Sequence, residues 1–403
     1  MSAPLSGLKV LDMGWLMVGP MSARYLTDLG AHTIKLESRK RRDPLRALGP
    51  FKDGKQGAER SLSYHMINAG KRSVALNIRK KAGRDVVLKL VEWADVLVES
   101  FSPGVIDEMG YSYEYLKSLN PRLIMVSTGI LGRTGLFGRG TSGTGITGSA
   151  YAGATGLMGW PDRKPTGPHG PWTDSVAPRF VVSSILAALH RRKLTNSGCY
   201  IDVAQAECGL QFLLPAFLEF AANGIDPVRV GRAGSKLRSP SGAFRCQGDD
   251  RWIAIDASDQ HDWISLKRVV GEALSDPAFD TIVGRLRQRE AIEAALNAWT
   301  TPQEATRAED VLQSAGVPAH VVSQAQDLVV DADLRHHNHY RKISDPEIGQ
   351  AETTGPQFRL SLTPHVETRP APRIGDATNE ILKDVCGLSD QAIALLEGAG
   401  IVE

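Results

Sequence analysis

Residues 8–37 read LKVLDMGWLMVGPMSARYLTDLGAHTIKLE, and their pattern decides the fold. An apolar run at 8–13 is strand-like, the amphipathic stretch 21–29 is helix-like, and 33–36 is strand-like again, which is one βαβ unit. The rhythm continues downstream. Residues 74–78 read as a strand, 84–91 as a helix, 95–98 as a strand, 113–119 as a helix and 122–127 as a strand. Strands alternating with helices in this way predict an α/β fold with a mainly parallel sheet covered by helices.

Beyond that stretch the signals change. Residues 129–159 hold 11 glycines in 31 positions, too many for the interior of a helix or strand, so a loop passing close to a ligand or another chain is expected there. A polar, proline-rich loop at 161–172 leads to an apolar helix over 179–191, with Asp174 at its entrance. A strand at 200–203 and a long helix at 206–223 follow. Residues 231–241 are basic and Gly/Ser-rich, a linker. A strand at 251–257, amphipathic helices to 314 and a strand at 316–322 predict a smaller α+β unit. A final helix is expected at 376–388. The domain layout is therefore a large first part over 1–225, a small α+β domain over 226–325, and a return to the large domain over 326–403.

Composition narrows the function. A chain of 403 residues with 42% hydrophobic and 23% charged residues is long enough for two domains and has the composition of an ordered globular protein. Lys plus Arg number 47 and Asp plus Glu 45, so no broad positive field is available for nucleic acid, and an anionic ligand must be held locally. The cysteines Cys199, Cys208, Cys246 and Cys386 are scattered and form no CxxC, which predicts neither a disulfide framework nor a metal site. The opening residues carry no export signal and the apolar runs are too short or too interrupted to span a bilayer, so a cytoplasmic protein without membrane contact is expected.

Gly143, Gly145 and Gly148 spell GxGxxG, yet no strand leads into them and no acidic residue follows on a second strand. A closely packed glycine loop is expected rather than a nicotinamide site. His336, His337 and His339 lack the spacing of a metal set and read as a solvated turn. No GxSxG elbow is present. The basic run Arg39–Arg42 and the pair Lys71-Arg72 lie beside strands, where open α/β sheets bind ligands, so they are candidates for phosphate contact as well as for a solvated face. Asp174 reads as the N-cap of the following helix, and the same geometry would hold its carboxylate ionised and able to attack a carbonyl.

The chain resembles the class III CoA-transferases, the group of formyl-CoA and carnitine CoA-transferases, along essentially its whole length. The resemblance rests on collinear pieces: Pro4-Leu5-Ser6-Gly7-Leu8-Lys9-Val10-Leu11-Asp12, Asp28-Leu29-Gly30-Ala31, Ile34-Lys35-Leu36-Glu37, Lys71-Arg72-Ser73, Asn120-Pro121-Arg122-Leu123, Gly316-Val317-Pro318-Ala319 and Gly375-Asp376-Ala377-Thr378. It implies a Rossmann-like large domain built from both chain ends, an inserted small domain, and two chains interlocked as rings, in a homodimer or a heterodimer with a homologous subunit. It also implies that Asp174, standing before a long apolar helix that ends in Arg191-Arg192, is the nucleophile of a ping-pong CoA transfer through an aspartyl-acyl anhydride. Acyl-CoA and a free carboxylic acid would be the substrates, with no tightly bound cofactor and no metal.

By position, the resemblance places CoA at Met17, Val18, Ser38, Leu76, Arg79, Ser100, Phe101 and Ser102, with Arg39, Lys71 and Arg72 as the phosphate candidates. Ser38 and Glu108 stand where relatives often carry Arg, and Thr144-Gly145 where many have Tyr followed by an acid. Such departures would suit a subunit working beside a non-identical partner, including a catalytically silent one. Met17 replaces a Gln of transferases for small polar acids, which points to a bulkier acyl group, such as an aryl-substituted dicarboxylate of the benzylsuccinate type with succinyl-CoA as donor. The same fold also serves α-methylacyl-CoA racemases, but their histidine in the glycine-rich stretch is Thr144 here, leaving only His169 nearby.

Overall fold

A computed structural model describes residues 3–136, 143–231, 237–363 and 369–403. The chain divides into two compact units, one formed by Met1–Thr155, Gly167–Asp226 and Arg335–Glu403, the other by Gly156–Thr166 and Pro227–Leu334.

The first unit is built on six parallel strands: β1 (Lys9–Asp12), β2 (His32–Glu37), β3 (Arg72–Ala75), β4 (Val96–Glu99), β5 (Ile124–Gly129) and β6 (Cys199–Ala204), in the order β3-β2-β1-β4-β5-β6. Parallel neighbours need crossovers. These contain the helices α1 (Val18–Asp28), α2 (Leu62–Asn68), α3 (Lys81–Trp93), α4 (Val105–Glu108) and α5 (Tyr113–Leu119). Between β5 and β6 come α6 (Gly145–Tyr151), the short α7 (Ala154–Leu157) and the long α8 (Trp172–Thr195).

Each central strand feeds two cores, because successive side chains point to opposite faces. Val10, Val96, Val98, Ile124 and Val126 pack on one face with Val18, Ala23 and Leu26 of α1 and Val181 and Ile185 of α8. Leu11, Leu97 and Met125 pack on the other with Val87 and Leu90 of α3, joined by Ile381 and Leu382 from the helix Thr378–Asp384. Burial on both faces explains why these strands read as continuous apolar runs.

The second unit has a three-stranded antiparallel sheet, β7 (Ser241–Arg245), β8 (Trp252–Asp256) and β9 (Ala319–Val321), in that order. Its core includes Phe244, Ile253, Ile255, Trp263, Leu296 and Leu312. A two-stranded hairpin, β10 (Tyr340–Asp345) with β11 (Gly349–Thr354), belongs to the first unit and was not signalled by the sequence.

Several expectations are corrected. The glycine-rich stretch is not loop throughout, since it contains α6. Residues 137–142 of it, and 232–236 of the expected linker, lie outside the described residues. The helix after Asp174 starts at Trp172 rather than at 179 and runs through Pro178, whose missing N–H leaves the Asp174 carbonyl without its usual helical donor. The helix expected over 206–223 is interrupted: Gln205–Leu210 and Leu214–Asn223 are separate, and Pro215 sits in the first turn of the second, where proline is tolerated.

Candidate active site

The strand order reverses direction between β1 and β4, and the crevice at the carboxyl ends of strands flanking such a reversal is where open α/β sheets bind ligands. Here the loop after β1 is tied to the loop after β4: Trp15 N–H donates to Ser100 Oγ at 2.8 Å, and Ser100 Oγ donates to the Trp15 carbonyl at 3.1 Å. The next residue, Leu16, is held at φ 61°, in the left-handed region that a branched side chain rarely adopts. Its N–H donates to Asp43 Oδ1 at 3.0 Å, which fixes that turn.

A cavity of about 1010 Å³ opens at this point. Of the residues expected to hold CoA, Met17, Val18, Ser38, Leu76, Arg79, Ser100, Phe101 and Ser102 line it, and Asp174 lines it with them. Arg39, Lys71 and Arg72 do not. Arg72 points outward to Glu380 at 2.8 Å. Lys71 is fully buried, its ammonium donating at 2.7 Å to Asp12 Oδ2, to Asn68 Oδ1 and to the Pro20 carbonyl, so all three donors are occupied and none is left for a phosphate. Arg39 contributes its backbone N–H nearby, not its guanidinium.

Lys40 and Arg41, from the basic run considered for phosphate contact, line the cavity together with Arg79, and so does Arg84, which the sequence reading missed. Among the described residues none of these four cations has an ion-pair partner, so the cavity offers unspent positive charge to an anionic ligand. Lys40 and Arg41 belonged to the basic run already noted; Arg84 was hidden in an amphipathic helix. Glu108, at a position where relatives often carry Arg, lines the same cavity and opposes this charge.

Asp174 stands in the first turn of α8, two residues after Trp172, and does not cap the helix: Pro171 is the N-cap residue and makes no side-chain cap. The carboxylate is half-buried and accepts the N–H of Gly145 at the start of α6. Gly145 is required by this contact, since a Cβ there would lie 2.8 Å from Asp174 Cγ and 2.7 Å from Pro171 Cβ. Gly148, a turn later, similarly abuts Thr173 Oγ1, at 2.5 Å from a Cβ in its place. The glycines of the GxGxxG pattern thus seat α6 against the first turn of α8.

Desolvation by burial pushes the Asp174 carboxyl up to about 6, against the Gly145 N–H, which favours the ionised form. The expectation of an N-cap is therefore corrected, and the N–H that favours the ionised form comes from α6 and is outweighed by desolvation. At neutral pH it is still mostly ionised, but among the described residues it has no cation partner and is correspondingly basic. Such a group can act as a nucleophile toward a carbonyl.

Among the described residues the one cluster of possible metal ligands is Asp259, His261 and Asp262, which lies in the second unit. Thr144 lines the cavity, and His169 is exposed and does not. Among the described residues no histidine lines the cavity to form an acid/base pair with Asp174. No helix among the described residues is long and apolar enough to cross a membrane.

Comparison with known proteins identifies a family. A family model described as CoA-transferase family III matches residues 5–378. The chain is 29% identical over 401 residues to the succinyl-CoA–D-citramalate CoA-transferase of Chloroflexus aurantiacus, covering 99% of this chain and 98% of that protein. It is 35% identical over 318 residues to the acetyl-CoA:oxalate CoA-transferase of Acetobacter aceti, covering 78% and 79%. Among solved structures, a CAIB/BAIF family protein from Brucella suis superimposes with a TM-score of 0.86 at 28% identity, over 96% of this chain and 100% of that one.

Proposed function

Because this chain belongs to CoA-transferase family III, and is therefore a transferase whose substrates are CoA thioesters, we propose that Asp174 carries the acyl group covalently between donor and acceptor. Its carboxylate oxygen attacks the thioester carbonyl. The C–S bond breaks, CoA leaves as thiolate, and an aspartyl-acyl anhydride remains. The thiolate then adds to the aspartyl carbonyl and expels the donor acid as its carboxylate, leaving an aspartyl-CoA thioester. The acceptor carboxylate runs the same two steps backwards, taking CoA and restoring Asp174. No proton needs a permanent home in this cycle, which suits a cavity with no histidine among its described lining residues.

One observation carries the reading. Asp174 is a partly desolvated carboxylate, raised to about 6, that among the described residues meets a single backbone N–H and no cation, in a cavity edged by Lys and Arg without ion pairs among those residues. Thr144 N–H is taken by Thr147 Oγ1 at 2.9 Å, which leaves the neighbouring Gly143 N–H as the candidate stabiliser of the oxyanion, and the walls around Asp174 keep water from the anhydride.

Succinyl-CoA is the donor this reading assigns, and a dicarboxylate the acceptor, because relatives act on D-citramalate, L-malate and glutarate with succinyl-CoA. Met17, Ile130, Leu131, Ile146 and Pro171 give the cavity apolar walls, which favours an acceptor with a bulky or aryl substituent, of the benzylsuccinate type, over a small polar acid. A dimer of interlocked chains is part of the proposal. The helix Leu214–Asn223 buries no residue, and Phe217, Leu218 and Phe220 are each more than half exposed, an apolar surface suited to being covered by a second chain. One relative is named as an alpha subunit, so the second chain is either identical or homologous.

Incubation with succinyl-CoA followed by hydroxylamine or borohydride should modify Asp174, as read by peptide mass. Asp174→Asn should abolish the modification and lower turnover by about 10³-fold or more, the scale of losing a covalent nucleophile. Modification confined to a co-purified partner, or an Asn variant with intact turnover, overturns the assignment and makes this chain the silent subunit.

A further inference from the structure

The backbone at residues 401–403 lies along the end of β3. Val402 forms an antiparallel bridge with Leu76, Asn77 N–H donates to the Ile401 carbonyl at 2.7 Å, and Glu403 N–H donates to the Ala75 carbonyl at 3.2 Å. From this anchored position the Glu403 side chain enters the large cavity. Its Oε2 accepts the Ser38 hydroxyl at 2.6 Å, Arg39 N–H at 2.7 Å and Lys40 N–H at 3.4 Å. Ser38 Oγ in turn accepts Lys40 N–H and Arg41 N–H, both at 3.2 Å, so the turn after β2 directs its N–H groups and its hydroxyl toward one oxygen.

This arrangement is an anion-binding nest at the carboxyl end of a central strand. A single carboxylate occupies it, while the side chains of Arg39, Lys40, Arg41 and Arg42 stand exposed around it without ion pairs among the described residues. The occupant does not saturate the site. Its second oxygen, Glu403 Oε1, is buried and has no hydrogen-bond partner among the described residues. A phosphate group, with more charge and three acceptor oxygens, matches the same donors and the four surrounding cations better than a carboxylate does.

We propose that the nest formed by Ser38, Arg39 and Lys40 receives a phosphate of CoA, and that Glu403 is an internal competitor for it, so that CoA binds by exchanging phosphate for the Glu403 carboxylate. The proposal rests on the CoA-transferase reading and adds to it a control on affinity. Departure of Glu403 also frees the segment pairing with Leu76, which itself lines the cavity. A competitor occupying the nest about two-thirds to nine-tenths of the time weakens ligand binding about three- to tenfold.

Titration calorimetry on the whole chain with CoA, 3′-dephospho-CoA and pantetheine tests this. Glu403→Gln removes the charge, and Glu403→Asp shortens its reach. Both should tighten CoA binding by about three- to tenfold, the weakening that such occupancy implies, and leave pantetheine unchanged. Tightening for CoA alone assigns the nest to the 3′-phosphate; tightening for CoA and 3′-dephospho-CoA alike assigns it to the diphosphate. Unchanged or weaker CoA binding in both variants, or tightening that extends to pantetheine, overturns the proposal. Binding is read without turnover, so a chain that binds CoA in this manner but transfers nothing defeats the transferase reading alone.

Discussion

Two aspartates in the first unit are withdrawn from water and respond in opposite ways. Asp12, at the end of β1, is fully buried, with Lys71 Nζ at 2.7 Å and Lys35 Nζ at 3.9 Å; desolvation pushes its carboxyl up, but the two lysines together outweigh that and hold it below its ordinary value. Lys35 also meets Asp43 at 3.1 Å, so two lysines and two aspartates balance inside the protein. Among the described residues Asp174 meets one N–H and no cation, and desolvation prevails, raising it to about 6. The buried quartet is structural. It fixes Gly14 through Asp12 Oδ1 and Leu16 through Asp43 Oδ1, and so shapes the loop that lines the cavity. The Asp174 carboxylate has no such partner among the described residues, and its proton affinity is raised instead.

The comparison breaks most severely at Asp12. Asp12→Asn removes one charge from a balanced set and leaves Lys71, whose ammonium desolvation already pulls down to about 8, and Lys35 facing Asp43 alone. Breaking a buried charge set by removing one partner costs about 3–5 kcal/mol. Urea denaturation should show that loss for Asp12→Asn. A loss under about 1 kcal/mol would mean the quartet is not holding its charges as described.

The same contrast explains what could be read from the sequence. The sheet was legible because both of its faces are buried, and each strand therefore announces itself as an apolar run, as at Val96–Glu99. Asp174 was legible only through its place before an apolar helix with a basic end, a family pattern; its raised proton affinity depends on burial that no local signal encodes. Lys71 was misread because residue type and position beside a strand suggest phosphate, whereas its partner Asp12 lies 59 residues away in sequence. Helix α6 was missed because glycine is a poor helix former, and here the tight approach of Gly145 and Gly148 to α8 overrides propensity. Glu403 carried no signal at all, since its role follows from pairing with Leu76 across the chain.

Gly145 sharpens the comparison on the reactive side. In an exposed helix Ala would be preferred to Gly by about 1 kcal/mol, yet a Cβ at 145 would stand 2.8 Å from Asp174 Cγ and must displace the carboxylate or α6. A displacement near 1 Å at a reacting group costs up to about 10²-fold in rate. Gly145→Ala should therefore lower kcat by about 10- to 100-fold. Gly156→Ala, from the same glycine-rich stretch but with nothing within 4 Å of the new Cβ, should leave kcat within about twofold, since changes away from close contacts are near neutral. Equal effects from the two would remove the close-packing role of Gly145.

The smallest effect is the most direct readout of the difference between the two aspartates. Asp174 ionises near 3.8 when unfolded and near 6 when folded, so between those values the folded state holds the extra proton. Stability contributed by this group is present below pH 4 and falls as pH rises through about 6, the reverse of the trend for Asp12, whose lowered value makes its contribution appear with rising pH. The shift corresponds to at most about 3 kcal/mol, and partial solvation of the carboxylate brings the expected figure to about 1–2 kcal/mol. Asp174→Asn cannot ionise. Its stability relative to the parent chain should be level near pH 4 and should rise to an advantage of about 1–2 kcal/mol by pH 7.5, as measured by chemical denaturation across that range. An advantage that is absent at pH 7.5, or that grows toward acid, would show that Asp174 is stabilised in its charged form and is a structural carboxylate like Asp12.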